Sequence, residues 1–261
     1  MKINIEKFLK ENIDVKKVVV NQTWGLGDIL FIERLYRYLK DLGLEVIAPV
    51  QDANIWIKDH IDYVNFVKVS EFNMDYERFD FGFFISEGVV HYDTIYLPVR
   101  FSDQIFRDLR PHDPSASRYW MVDKYNVIGL EPNCWEKIEL KRNQKKEQEL
   151  KKIILQDIDS EYDFCNSFYQ NSLNINLNLE EKIKEDLPVV SMRFVEGYSM
   201  IDWSSIIESA RKVHTVSTSL LYMIQSIHQP GKEYHLYPRL PETGFYTVEE
   251  FLPNYWIKHN L

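Results

Sequence analysis

A chain of 261 residues can bury one large core or two modest ones. With 45% hydrophobic and 14% aromatic residues, it reads as an ordered globular protein rather than a disordered one. The net charge of −9 and pI near 5.3 argue against broad electrostatic binding to nucleic acid or anionic membrane, so an anionic small ligand would need local donors.

Residues 2–14 read as a short, polar, amphipathic helix. The N-terminal stretch is charged and has no apolar centre, which predicts no signal peptide. No window reaches the apolar length of a membrane span. Val18-Val19-Val20 is a β-branched run suited to a buried parallel strand. The polar turn Asn21-Gln22-Thr23-Trp24 and the loop Gly25-Leu26-Gly27-Asp28 follow. Apolar residues then recur at Ile29, Leu30, Ile32, Leu35, Tyr36 and Leu39, which predicts one helix over 28–42 ended by Gly43. Strand, glycine turn and helix form the first unit of a doubly wound α/β domain. Further strands are predicted at Leu44–Pro49, Val64–Val69 and Phe79–Ile85, with a short helix or loop from Asn54 and a polar loop at Ser86-Glu87-Gly88. Together they favour a mainly parallel sheet. Residues 101–120, with Pro111 and Pro114, read as helix plus irregular connection.

From Glu136 to Asp157 the chain is charge-dense. Lys141, Arg142, Lys145 and Lys146 interleave with Glu139, Glu147 and Glu149, which reads as a solvated helix face linking two domains rather than a nucleic-acid site. A second α/β half follows, with strands predicted at 162–166, 187–193, 213–216 and 234–237 and helices at 203–210 and 220–227. The expected domains are 1–135 and 136–246. A C-terminal helix over 247–261, with Phe251, Leu252, Tyr255, Trp256 and Ile257 apolar, is expected to pack back across their interface. The two cysteines, Cys134 and Cys165, show no metal spacing or disulfide framework, and a reducing, cytoplasmic setting is expected.

Open parallel sheets bind ligands at the carboxyl ends of their strands. That rule singles out Asp28 after the first strand, then Glu87, His91 and Asp93 after the strand ending at Ile85. In the second half it singles out Arg193, the turn Ser217-Thr218-Ser219, and Arg239. Three small hydroxyl residues between a buried strand and a helix start supply donors that suit a diphosphate, although ordinary helix capping uses the same residues. His214, inside a strand, reads as a core histidine. Asp157-Ile158-Asp159 reads as surface.

Gly25-Leu26-Gly27-Asp28-Ile29-Leu30, followed by Leu35, Tyr36, Leu39 and Lys40, resembles the opening of the heptosyltransferase-like glycosyltransferases. Gly197–Trp203, Ile206–Ala210 and Val213–Ser219 look like that family's donor-binding segment. The resemblance implies the GT-B fold, an α/β architecture of two Rossmann-like domains facing each other across a cleft, here in a compact version. It implies that the loop of Gly25 and Gly27 faces the acceptor, with Asp28 as general base. By the same correspondence Ser217, Thr218 and Ser219 stand where the family has an Asp-Thr-Gly turn, and Tyr222 stands where it has a histidine. Only Thr218 is identical.

The expected function is therefore a glycosyltransferase that moves a sugar from a nucleotide-diphosphate sugar to a glycan or other hydroxyl acceptor. Asp28, or in its place Glu87 or His91, would take the acceptor proton. Arg193, Arg239 and the 217–219 turn would stabilise the leaving diphosphate, so no metal and no other cofactor is expected. One alternative is a noncatalytic nucleotide-sugar or glycan-binding module of the same fold. Another is a dinucleotide-dependent oxidoreductase, against which Leu30 stands where that fingerprint's third glycine belongs.

Overall fold

A computed structural model describes residues 3–73, 80–99, 120–131, 138–167, 178–183, 187–239 and 252–259. The chain divides into two units, Met1–Lys141 and Arg142–Leu261, and each carries a five-stranded sheet among the described residues. Strands are numbered here in chain order. Those of the first unit are β1 (Lys17–Asn21), β2 (Glu45–Val50), β3 (Asn65–Lys68), β4 (Gly82–Ser86) and β5 (Val89–Pro98). Their order is β3-β2-β1-β5-β4. β1, β2, β3 and β5 run parallel, and β4 is antiparallel to β5 at one end of the order.

The first unit follows the hydrophobic pattern closely. Val18, Val19 and Val20 are buried, as β-branched residues at the centre of a doubly covered sheet should be. The expected single helix over 28–42 is two helices, Leu26–Phe31 and Glu33–Asp41, broken at Ile32. Ile29, Leu30, Phe31 and Ile32 are all fully buried. Four consecutive buried residues exceed one helical face, and the break re-aims the second helix so that Leu35, Tyr36 and Leu39 are buried as well. Residues 138–141 belong to this unit, which moves the expected boundary at 135 to Lys141. Lys141 N donates to His60 O at 2.8 Å, and Glu139 pairs with Arg37 at 2.5 Å.

The second unit holds β6 (Asp163–Asn166), β7 (Val189–Ser191), β8 (Lys212–Val216), β9 (Glu233–Tyr237) and β10 (Trp256–Lys258), all parallel, in the order β10-β9-β8-β6-β7. Counted from β6, this is the 2-1-3-4-5 order of one common doubly wound sheet. Within the described part of the expected C-terminal helix, Trp256–Lys258 is strand and no helix is present. Trp256 pairs with Tyr234, and His259 N donates to Leu236 O at 2.9 Å. Aromatic and β-branched residues in Tyr255-Trp256-Ile257 suit a pleated edge, and Pro253 lacks the N–H that a helix interior needs.

The charge-dense segment is a helix, Gln144–Ile154, and one of its acids is no surface group. Glu147 is fully buried, bound by Arg142 and by Ser205 Oγ at 2.6 Å. A second buried acid, Asp163, receives Arg211 Nε at 3.0 Å and Nη2 at 2.7 Å, together with Lys212 N at 3.1 Å. Burial pushes the Asp163 carboxyl up, but the guanidinium and the backbone N–H outweigh it and hold it below the ordinary value of 3.8. A carboxylate held low in the folded state adds stability that is full above its ordinary value and lost as pH falls below it. Arg211→Ala is therefore expected to cost about 1.5–3 kcal/mol at pH 7, with the gap from the parent closing below pH 3.8. Urea midpoints at pH 7 and pH 3 check both parts. Equal midpoints at pH 7 would show that the pair contributes nothing.

Candidate active site

In the first sheet the strand order reverses between β1 and β5, and their carboxyl ends, Asn21 and Pro98, lie opposite each other. This is the position at which open sheets take ligands. Asn21 Nδ2 donates across the reversal to the Tyr96 hydroxyl. Asn21 Oδ1 and Thr23 Oγ1 are buried with no hydrogen-bond partner among the described residues. The chain then passes half-exposed Trp24 and turns at Gly25, whose φ is +73°. A Cβ on Gly25 would lie 2.4 Å from Asp28 Oδ2, so the carboxylate folds back over a residue that must be glycine. Gly27 sits in the first turn of the helix Leu26–Phe31.

The other carboxylate oxygen meets a residue that the sequence did not single out. Lys124, from the helix Trp120–Asn126, places Nζ 3.0 Å from Asp28 Oδ1. It also donates to Gln22 Oε1, whose amide Nε2 in turn donates to Trp24 O at 2.8 Å. The Lys124 side chain is 2% exposed and that of Asp28 17%. Gly25→Ala is expected to force both a strained φ and a displaced carboxylate, at a cost of about 1–3 kcal/mol. A thermal or urea midpoint equal to the parent's would show that the loop relaxes freely.

Glu87 and His91 do not join Asp28. Because β4 runs antiparallel, its carboxyl end is at the opposite end of the sheet. Glu87 and Gly88, at φ +51° and +77°, form a two-residue hairpin turn into β5. Glu87 accepts from Asn73 Nδ2 there, and His91 packs against Phe84 with ring centres 5.6 Å apart. Thr94 already faces Lys17, the first residue of β1, whereas Asp28 follows its last. His91 is thus roughly 20 Å along β5 from the reversal. Asp93 pairs with Lys17 at 3.3 Å at that same distant end.

In the second sheet the order reverses between β6 and β8. Asn166 ends β6, and its Nδ2 lies 3.1 Å from Thr215 Oγ1 and 3.4 Å from Thr218 Oγ1. Thr218 caps the helix Ser219–Ser226 by accepting from Leu220 N at 3.3 Å. Arg239, after β9, donates Nε to Ser217 O. Ser219 Oγ is 3.5 Å from Met200 Sδ, which brings in the 197–202 loop, and Asp202 accepts there from Ser199 N at 2.7 Å. Ser217, Thr218, Ser219 and Arg239 are therefore together. Tyr222 is buried one turn further along the helix. Arg193 is exposed after β7, two strands from β8 and roughly 10 Å away by strand spacing. Asn166 and Ser167, whose hydroxyl donates to Glu180 at 2.8 Å, stand at the reversal without having been singled out. His214 is a core residue, stacked on His235 at 4.4 Å.

No family model matches the chain, and no curated protein matches its sequence. Solved structures do match. TibC, an iron-containing dodecameric glycosyltransferase from enterotoxigenic E. coli, aligns with TM-score 0.51 and 12% identity over 93% of this chain and 65% of its own. TibC described as a heptosyltransferase in complex with ADP-D-beta-D-heptose aligns with TM-score 0.47 and 11% identity, over 98% and 63%. A glycosyl transferase family 9 protein from Veillonella parvula aligns with TM-score 0.47 and 9% identity, over 87% and 81%. The first of these carries a likeness of fold, and this chain spans 65% of that protein's length. The mixed α/β architecture with two mainly parallel sheets is thus one that a glycosyltransferase uses.

The expectation of a protein without metal is corrected by the same finding, because TibC is described as iron-containing. Among the described residues no group of three or more His, Cys, Asp or Glu side chains is set to hold a metal ion. Cys165 is buried, and Cys134 lies outside the described residues. The described side chains do not fit iron. Among the described residues no helix is long and apolar enough to cross a membrane.

Proposed function

We propose that this protein is a glycosyltransferase that moves a sugar from a nucleotide-diphosphate sugar to a hydroxyl acceptor. The observation that carries the reading is the coincidence, in each unit, of the strand-order reversal with candidate groups. At one reversal stands a carboxylate, Asp28, and at the other a turn of hydroxyls backed by Arg239. The likeness of fold to a glycosyltransferase supports the same reading.

In this reading the acceptor hydroxyl oxygen attacks the anomeric carbon and its proton passes to the Asp28 carboxylate. The bond from that carbon to the diphosphate oxygen breaks, and its electron pair leaves with the nucleoside diphosphate. Donors around Ser217–Ser219, with Arg239 and more distantly Arg193, stabilise the charge that appears there. A second reading, a noncatalytic module that only binds a nucleotide sugar, draws on one observation. Thr218 Oγ1 is already engaged by Asn166 and by Leu220 N, as a helix cap alone would be.

A thermal-shift panel of ADP, UDP, GDP and their sugars tests the reading. A ligand bound only by the folded chain raises the midpoint, by about 2.7 kcal/mol in stability at a hundred times its Kd. Arg239→Ala is expected to weaken the hit by about tenfold or more, the loss of one charge-assisted hydrogen bond. A panel without any shift would sink the proposal. A hit without release of nucleoside diphosphate from the sugar would favour the binding module.

A further inference from the structure

The buried ammonium beside Asp28 is the feature that neither the sequence motif nor the fold likeness accounts for. A lysine is almost never fully buried unless it is paired, and a buried unpaired charge is costly. Lys124 is 2% exposed, and its Nζ is shared between Asp28 Oδ1 at 3.0 Å and Gln22 Oε1. Gln22 follows the end of β1, and its own amide holds Trp24 O at 2.8 Å. One buried cation thus joins the residue after β1, by a hydrogen bond to Gln22, to the carboxylate, by an ion pair with Asp28. The remaining exposure of the ion pair belongs to Asp28, so Lys124 stands behind the carboxylate with respect to solvent.

The geometry places both oxygens. Oδ1 is held by the ammonium, and Oδ2 lies over the Gly25 α-carbon, where a side chain would meet it at 2.4 Å. An aspartate on a surface turn would sample several rotamers and gain little from a screened ion pair. Here the partner is desolvated, and the carboxylate lies between the ammonium and the glycine turn. We infer that Lys124 is a positioning residue: it sets the orientation of Asp28, and it does so from a helix remote in sequence from the glycine loop. The inference rests on the reading of Asp28 as the base of sugar transfer. It assigns to Lys124 no contact with either substrate.

The test is a double-mutant cycle on turnover. Release of nucleoside diphosphate from ADP-heptose and UDP-glucose, with water standing in as acceptor, is followed for the parent, Lys124→Met, Asp28→Asn and the double variant. Lys124→Met fills the buried space without charge, and Lys124→Arg retains a cation should the methionine variant not fold. Lys124→Met is expected to lower kcat by about a hundredfold, the scale of a misplaced reacting group, with KM within about twofold of the parent. It is expected to add nothing in the Asp28→Asn background, and Lys124→Arg should recover part of the rate. A merely structural lysine would not give that non-additivity. Parent-like kcat in Lys124→Met, or a full further loss on top of Asp28→Asn, overturns the inference. Parent-like turnover in Asp28→Asn alone instead overturns the base reading on which it rests.

Discussion

Arg142→Ala is expected to destabilise the second unit by about 3–5 kcal/mol. Arg142 is the first residue of that unit and grips two acids at once. Its Nε and Nη2 reach Glu147 at 2.8 and 2.5 Å, and its Nη1 and Nη2 reach Glu208 at 2.6 Å each. The Glu147 side chain has no exposed surface, and Ser205 Oγ also donates to it at 2.6 Å. Removal of the guanidinium leaves two carboxylates near each other, one of them desolvated and deprived of the charge that Arg142 supplied. The penalty is that of an uncompensated buried charge rather than the net worth of the bridge. The same argument predicts partial rescue. Arg142→Ala combined with Glu147→Leu should recover stability relative to Arg142→Ala alone, because the stranded charge is gone. Urea unfolding with an unchanged slope and a lowered midpoint is the measurement. A shift in midpoint worth less than about 1 kcal/mol would place the network among ordinary surface pairs.

That network also marks where sequence reading reaches its limit. Glu147 lies in a run of alternating charges, and nothing in its neighbours distinguishes it from Glu149, which is half exposed on the same helix. Only the packing of that helix on Ser205 and Glu208 selects one of them for burial. The first strand and the helical span after it, though not its break at Ile32, were legible because Val18–Val20 and the spacing from Ile29 to Leu39 encode burial locally. β5 was not. Residues Val89–Asp93 form half of an edge hairpin with exposed side chains, while Thr94–Pro98 fill the sheet centre. One strand therefore carries two burial regimes, and neither period 2 nor a continuous apolar run spans it. The missed hairpin sent Glu87 and His91 to the wrong end of the sheet. The turn signal itself, Glu87-Gly88 between two apolar runs, was present.

The candidate sites divide the same way. Gly25 and Asp28 are three residues apart in one loop, so the close approach of carboxylate and glycine was written in a motif. Lys124 and Asn166 were not written in any. Lys124 looks like one polar residue of a short helix, and Asn166 like the polar end of a strand. They join the candidate sites only through tertiary packing: strand order brings Asn166 to the reversal between β6 and β8, and a helix distant in sequence brings Lys124 to Asp28.

Asp28→Asn is expected to reduce transfer by at least about a hundredfold while leaving donor binding near normal. A general base contributes about 10²–10⁴-fold in rate, and asparagine has the shape of aspartate but cannot accept the proton. The structure sharpens the choice of substitution. Asp28→Ala would vacate the space over Gly25 and leave the buried Lys124 ammonium without its counter-charge, so a loss of activity would be confounded with a loss of fold. Asparagine keeps an oxygen for Lys124 and keeps the side chain over the glycine, so the unfolding midpoint should change much less than the rate. A transfer assay beside a donor-binding titration on the same variant separates the possibilities. Transfer at the parent rate would leave Asp28 as a structural partner of Lys124 and exclude it as the base. Loss of donor binding with an intact fold would move Asp28 to the nucleotide, and the acceptor would then have to be sought at Ser217–Ser219 and Asn166 in the other unit.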